Sequence, residues 1–466
     1  MLRAVIIAIG GALIAALLYT ALGDDIPGGA SAARDCPNRA RPCPTAHKGG
    51  GTAPSVPVDA RSFVETIGVN THLWYGDTPY GDYAMVKRRL LELGVRHIRD
   101  GLPPAGTQTF FDRVNDLGAA GIKSTLIACR VEPPGVPWTT YVREAKTKAR
   151  SSLAALEGVN EPDLVAAPQA DWPRRARNCQ RDVYRQARGR ATGRPLRVPI
   201  LGPSLQGGNT QIGDISDRAD GAAIHPYPGG SPPSGPAHRP LRSHMGEVRR
   251  HQFGGTPVPV SATETGYHDA LNTPSAHAAV SQRAAAIYIP RLFLEYRRAG
   301  VWRTFVYELV DERPDPALGD VEANFGLFES DWSYKPSAIA LKNTIALLDS
   351  PGKGPRTPLR YTLANTADPD GAGPRGAVSD LLLQKADGSY WLALWQDSKV
   401  WDENARTDIH NPASAVRVTL DRRMSHSSYR PTQGATGSGR RTARSLTVHV
   451  GDDVLLIKMT DTQVPS

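Results

Sequence analysis

From Phe63 to Leu348 the chain alternates two patterns. Short apolar runs of strand length fall at residues 67–72, 95–99, 122–129, 153–161, 197–202, 221–225, 258–264 and 301–309. Between them, apolar residues recur at helical spacing over 83–93, 110–120, 141–150, 182–190, 281–298 and 336–348. Gly94 and Gly300 stop two of these helices. Eight strands with interleaved helices predict an α/β fold, a (β/α)8 barrel spanning 58–350. The helix between the fifth and sixth strands is missing or very short. From Pro351 the pattern changes to short strands at 379–384, 390–396, 416–420, 445–450 and 454–459, rich in Gly, Pro and Thr. Asp387-Gly388 is a hairpin signal between the first two. This predicts a β-sandwich over 351–466, with 434–441 as an exposed loop.

The amino terminus belongs to neither pattern. Residues 4–22 carry no charge and follow Arg3, so 1–23 reads as a signal peptide or a membrane anchor. Residues 24–57 are rich in Gly, Pro, Ala and Arg and read as a flexible linker. The expected location is outside the cell, secreted or anchored to the membrane's outer face. Four cysteines agree with an oxidising compartment. The expected disulfides are Cys36 with Cys43 and Cys129 with Cys179. No Cys-x-x-Cys pair is present, which disfavours zinc.

A formal net charge of +9 comes mainly from arginine. The densest run is Arg174, Arg175, Arg177, Arg181, Arg185, Arg188, Arg190, Arg194 and Arg197. It reads as a solvated helix face or as a surface for an anionic partner. No zinc-finger or RNA-binding signature accompanies it, so nucleic acid is not an expected partner.

Two acids stand where a barrel builds its site. Leu156-Glu157-Gly158-Val159-Asn160-Glu161-Pro162 ends the fourth strand, and Val260-Ser261-Ala262-Thr263-Glu264-Thr265-Gly266 ends the seventh. Two carboxyl groups from different strands suit glycosidic cleavage. One gives a proton to the leaving oxygen and the other attacks or shields the opposite face. Asn160, beside the first acid, can bond a sugar hydroxyl.

These residues resemble the clan A glycoside hydrolases, retaining (β/α)8 enzymes that include cellulase-like and β-xylosidase-like families. The resemblance covers about residues 63–348. It implies that Glu161 is the acid/base and Glu264 the nucleophile. It further implies that Arg99, ending strand two, bonds the nucleophile, and that His225 or Tyr227 orients it. Glu264 is then expected to be ionised, and Glu161 to be protonated through partial burial and its neighbour's charge. The expected partner is a carbohydrate, probed by O-glycosidic hydrolysis, with no cofactor and no metal. Strand eight departs from the clan's pattern: it reads Phe305-Val306-Tyr307-Glu308-Leu309, without the usual terminal Trp, and Trp302 falls too early.

Asn70, His72 and Trp74 are candidate substrate contacts after strand one, and structural residues on the alternative reading. Tyr75, Trp138 and Trp332 could stack on sugar rings or pack in the core. Glu308, Asp311 and Glu312 are further acids near strand eight. Two rival classes stay open. A non-catalytic glycan-binding or cell-envelope protein would be expected to have lost a carboxylate. A metal-dependent hydrolase would need clustered ligands such as His-x-His, and His72 stands alone in sequence. The C-terminal module reads as a glycan-binding domain or as a support packed on the barrel.

Overall fold

A computed structural model describes residues 53–103, 108–129, 138–149, 151–164, 171–190, 194–233, 235, 240–365 and 378–462. The expected Cys36–Cys43 pair, the uncharged run 4–22 and most of the expected linker lie outside these residues. No helix among the described residues is long and apolar enough to cross a membrane.

The first body is a parallel barrel with helices outside it. Its strands are β1 (Ile67–Asn70), β2 (His97–Gly101), β3 (Lys123–Cys129), β4 (Leu153–Val159), β5 (200–204), β6 (Ala222–Ile224), β7 (Val260–Thr265) and β8 (Arg303–Val306). Seven form one ladder in the order β4-β3-β2-β1-β8-β7-β6. β5 spans the gap between β4 and β6 through isolated parallel bridges, Leu156 with Ile200, Asn160 with Ser204 and Leu201 with Gly221. Pro199 and Pro203 lack the N–H that a continuous ladder needs, which keeps this strand fragmentary. It enters the sheet a few residues later than the expected 197–202. Gly158 lets β5 approach closely, since a Cβ there would overlap Gln180 and the backbone of Pro203. The helix between β5 and β6 is a single turn, Asn209–Ile212.

Local signals explain the longer helices. Helix Tyr83–Leu93 starts on Asp82, whose carboxylate accepts the Met85 N–H, and stops at Gly94 with φ 76°. Helix Gln282–Ala299 starts on Ser281 and stops at Gly300 with φ 88°. The arginine-rich run lies on Trp172–Arg188, ten residues longer at its start than the expected 182–190. Trp172, Ala176, Cys179, Val183 and Ala187 form its buried stripe and the arginines its outer face. Several of those arginines serve the fold: Arg177 donates to the carbonyls of Gln211 and Ile212, and Arg188 to that of Val198. Cys129, ending β3, is disulfide-bonded to Cys179 on this helix, with Cα atoms 6.3 Å apart.

The second body is antiparallel apart from the short strand Val58–Asp59, which pairs parallel with Val378–Gln384. Its sheet runs Val58–Asp59, Val378–Gln384, Tyr390–Gln396, Leu455–Asp461, Ser414–Tyr429, Ser438–Val450, and Tyr361–Asn365 pairs with the first half of Ser414–Tyr429. The long hairpin Ser414–Val450 has register shifts between Thr419 and Met424 and between His426 and Ser428. Leu382, Leu392, Leu394, Ile457, Tyr361, Val416 and Val418 form one buried cluster. The alternate residues Leu381, Leu383, Trp391, Ala393 and Trp395 join the barrel's core. Burial on both faces is why these strands read as unbroken apolar runs.

Two boundaries differ from the sequence reading. Residues 438–441, expected in a loop, belong to strand Ser438–Val450, where His426 pairs with Arg441 and Ser428 with Ser438. Arg, Ser and Thr on an exposed edge hairpin hide the alternation that reveals strands. Ser55, inside the expected linker, exchanges both backbone hydrogen bonds with Leu359 at 2.9 and 3.0 Å. The chain thus joins the second body before residue 58. That body also grips helix Gln282–Ala299: the Trp395 indole N–H donates to Glu295 Oε1 at 3.0 Å, and the Val400 N–H donates to the Tyr288 hydroxyl at 2.8 Å. This is the geometry of a support packed on the barrel.

Candidate active site

Arg99, in the middle of β2, is the hub of the barrel's C-terminal end. Its guanidinium is buried and holds Glu157 bidentately, Nε to Oε2 at 2.7 Å and Nη2 to Oε1 at 2.9 Å. Nη1 donates to Glu264 Oε1 at 2.6 Å and to Asn70 Oδ1 at 3.1 Å. Nη2 also donates to Asn160 Oδ1 at 2.6 Å. Four strands are thereby tied to one cation. The expected contact of Arg99 with Glu264 is present, and the second carboxylate is the larger part of its role.

Glu264 ends β7 and is almost wholly buried. Its second oxygen accepts the Tyr227 hydroxyl at 2.9 Å and lies 3.5 Å from His225 Nδ1. Glu161 follows β4 with φ 40°, a left-handed conformation that costs a non-glycine residue about 1–3 kcal/mol. Its N–H donates to the Ser204 carbonyl at 3.0 Å, which locks that turn against β5. Its Oε1 meets His225 Nδ1 at 2.6 Å and accepts from Gln206 Nε2 at 2.5 Å. One oxygen of Glu161, one of Glu264 and the His225 ring nitrogen all lie within 4.8 Å of one another.

The proton of this group can be traced. Glu157 Oε1 accepts the Thr263 hydroxyl at 3.1 Å, so the Thr263 oxygen accepts from His225 Nε2 at 3.2 Å. Nε2 therefore carries hydrogen, and the exchangeable proton lies between His225 Nδ1 and Glu161. Burial pushes the Glu161 carboxyl up, but the charge and hydrogen bond of His225, with Gln206 and Arg99, hold it below its ordinary value. Burial pushes His225 down, but Glu264 and Glu161 hold it above the usual imidazole value. The two directions favour a proton shared with His225, whereas the sequence reading expected it on Glu161 and assigned His225 to Glu264 alone.

The remaining candidates separate. Asn70 and Asn160 both face Arg99, and Asn70 Nδ2 donates to the Thr263 carbonyl at 3.2 Å. His72 turns instead to Glu308 and Glu312, stacked on Tyr75 at 4.6 Å, and burial lowers its pKa to about 4. Trp74 packs edge-on against Tyr75 and is half-buried. Trp332 packs near Phe328 in the core, away from the carboxyl pair. The Trp138 side chain lies outside the described residues. Asp311 pairs with buried Lys335 at 2.8 Å and accepts the Gly326 N–H, a structural role. Tyr307 stands at the end of strand eight, edge-on to His72 at 5.7 Å.

Glu157, Thr263 and Gln206 are site residues that sequence reading missed. An acid in the middle of the apolar run 153–159 was a usable signal, because a buried charge needs a partner. Gln206, in the loop after β5, carries no such mark.

No family model and no curated protein matches the sequence. Solved structures do. A family 39 glycoside hydrolase from the gut symbiont Bacteroides cellulosilyticus WH2 is 16% identical, with a TM-score of 0.58 over 86% of this chain and 82% of that one. A family 39 β-xylosidase from Caulobacter crescentus is 15% identical, with a TM-score of 0.52 over 88% and 98%. The fold is shared with these family 39 glycoside hydrolases. A family 30 endoxylanase from Clostridium papyrosolvens C71 superposes as well, at 11% identity and a TM-score of 0.52 over 90% and 98%. The matched spans take in the β body along with the barrel, so the two-body plan is shared.

Proposed function

We propose that the protein is a retaining glycoside hydrolase acting on β-linked oligo- or polysaccharides outside the cell. The observation that carries this reading is the approach of Glu161 and Glu264 oxygens to within 4.8 Å. Double displacement calls for carboxyl groups about 5–5.5 Å apart, whereas inversion needs roughly 6.5–9.5 Å to admit a water. Glu264 attacks the anomeric carbon, held in place by Arg99 and Tyr227. The leaving oxygen takes the proton shared by Glu161 and His225, and the C–O bond breaks. Glu161 then accepts a proton from water as that water's oxygen displaces Glu264, which restores both carboxyl groups. Residues 1–23 would direct export or anchor the chain.

Two variants test the roles. Glu264→Ala should lower turnover by roughly four orders of magnitude or more while remaining folded by circular dichroism. Glu161→Ala should spare aryl glycosides with good leaving groups far more, and azide should restore its turnover by forming a β-glycosyl azide. Near-normal activity of Glu264→Ala would defeat the assignment.

A further inference from the structure

His72 stands alone in sequence but not in space. It follows β1, while Glu308 and Glu312 follow β8. A ring nitrogen and two carboxylate oxygens from these three lie within 4.8 Å of one another. His72 Nε2 is 3.3 Å from Glu308 Oε2 and 3.9 Å from Glu312 Oε1. That buried nitrogen has no hydrogen-bond partner. Neither has Glu308 Oε1, on a side chain with no solvent exposure. Orphaned buried polar atoms are rare in native structures, and an ion held between them is one physical reason for them.

We propose that His72, Glu308 and Glu312 bind one divalent transition ion, Zn2+ or Mn2+. Three ligands each about 2.0–2.2 Å from one ion span separations of this size. One imidazole with two carboxylates favours these ions over Ca2+, which prefers an all-oxygen shell. Two carboxylates balance the ion's charge. Surrounding residues already orient the ligands: Tyr80 donates to Glu308 Oε2 at 2.7 Å, and Tyr75 stacks on the His72 ring. His72 and Glu312 keep 17% and 16% side-chain exposure, which leaves an entry path. Arg313 approaches Glu312 at 3.6 Å but is half exposed and also paired with Asp320. The trio Glu161, His225 and Glu264 has similar spacing, but the buried Arg99 cation is already bound to Glu264 and opposes a second cation there. The proposal stands apart from the hydrolytic reading, because binding is measured without turnover.

The test uses the full chain, stripped with chelator and then titrated with Zn2+, Mn2+ or Ca2+ by calorimetry, with elemental analysis after dialysis. One equivalent of Zn2+ or Mn2+ is expected. Glu312→Gln and His72→Gln should each raise Kd at least about tenfold, in line with the loss of a first ligand or its support. Glu161→Gln should leave Kd unchanged, and circular dichroism should show all three variants folded. Four results would overturn the site: no stoichiometric binding, binding of Ca2+ alone, binding untouched by the Glu312 and His72 changes, or binding lost in Glu161→Gln.

Discussion

Two buried groups of acids sit side by side at the C-terminal end of the barrel, and their charges are met differently. In the first, Glu157 and Glu264 share the Arg99 guanidinium, and Glu161 shares a proton with His225. In the second, burial and like charges push Glu308 well above the carboxylate range. Burial likewise takes Glu312 to about 7 and Glu322 to about 8. The groups are close enough for Glu264 to act on His72 and Glu322 electrostatically. Burial is common to both, and what the first group adds is a buried guanidinium shared by two of its acids.

The largest effect should come from removing the shared cation. Arg99→Ala leaves Glu157 buried without its partner, which costs about 3–5 kcal/mol. Denaturant titration should show that loss, and activity should fall to background. A variant of near-normal stability would mean that Arg99 does not hold the first group together.

Next comes relief of the second group. The folded-state pKa of Glu312 is about 7, above an unfolded carboxyl. The folded protein therefore binds the extra proton between those values, and stability falls as pH rises from about 4.5 to 7. In chelated buffer, Glu312→Gln should remove that slope and raise stability at pH 8 by up to about 3 kcal/mol. Thermal melts across pH decide it, and an unchanged slope would contradict the comparison.

The smallest effect concerns the shared proton. His225 is held above the usual imidazole value, so the pair keeps its proton until pH rises through that raised value. His225→Asn removes this store, and the alkaline limb of kcat/KM should move to lower pH. A general loss of kcat with the limb unmoved would leave His225 a structural role only.

How legible all this was in the sequence depended on the kind of signal. Glu161 and Glu264 were visible because Pro162 and Gly266 end their strands abruptly, and Arg99 and Tyr227 were visible through resemblance to the clan. The contact of His72 with Glu308 and Glu312 joins residues more than 230 positions apart, and only barrel closure between β1 and β8 creates it. Gln206 reaches Glu161 from an irregular loop after a strand broken by Pro199 and Pro203. The first part of the edge strand, 438–444, was hidden because its polar residues are mostly exposed to water. Periodicity reports burial on one face, so it is silent where neither face is buried.

The most direct test of the central reading is the configuration of the first-formed product. A β-glycoside hydrolysed by the wild-type protein should be followed by proton NMR from the first minutes, before mutarotation. The β-anomer appearing first is the predicted result, because Glu264 and Glu161 are close enough for two successive inversions. The α-anomer appearing first would contradict it.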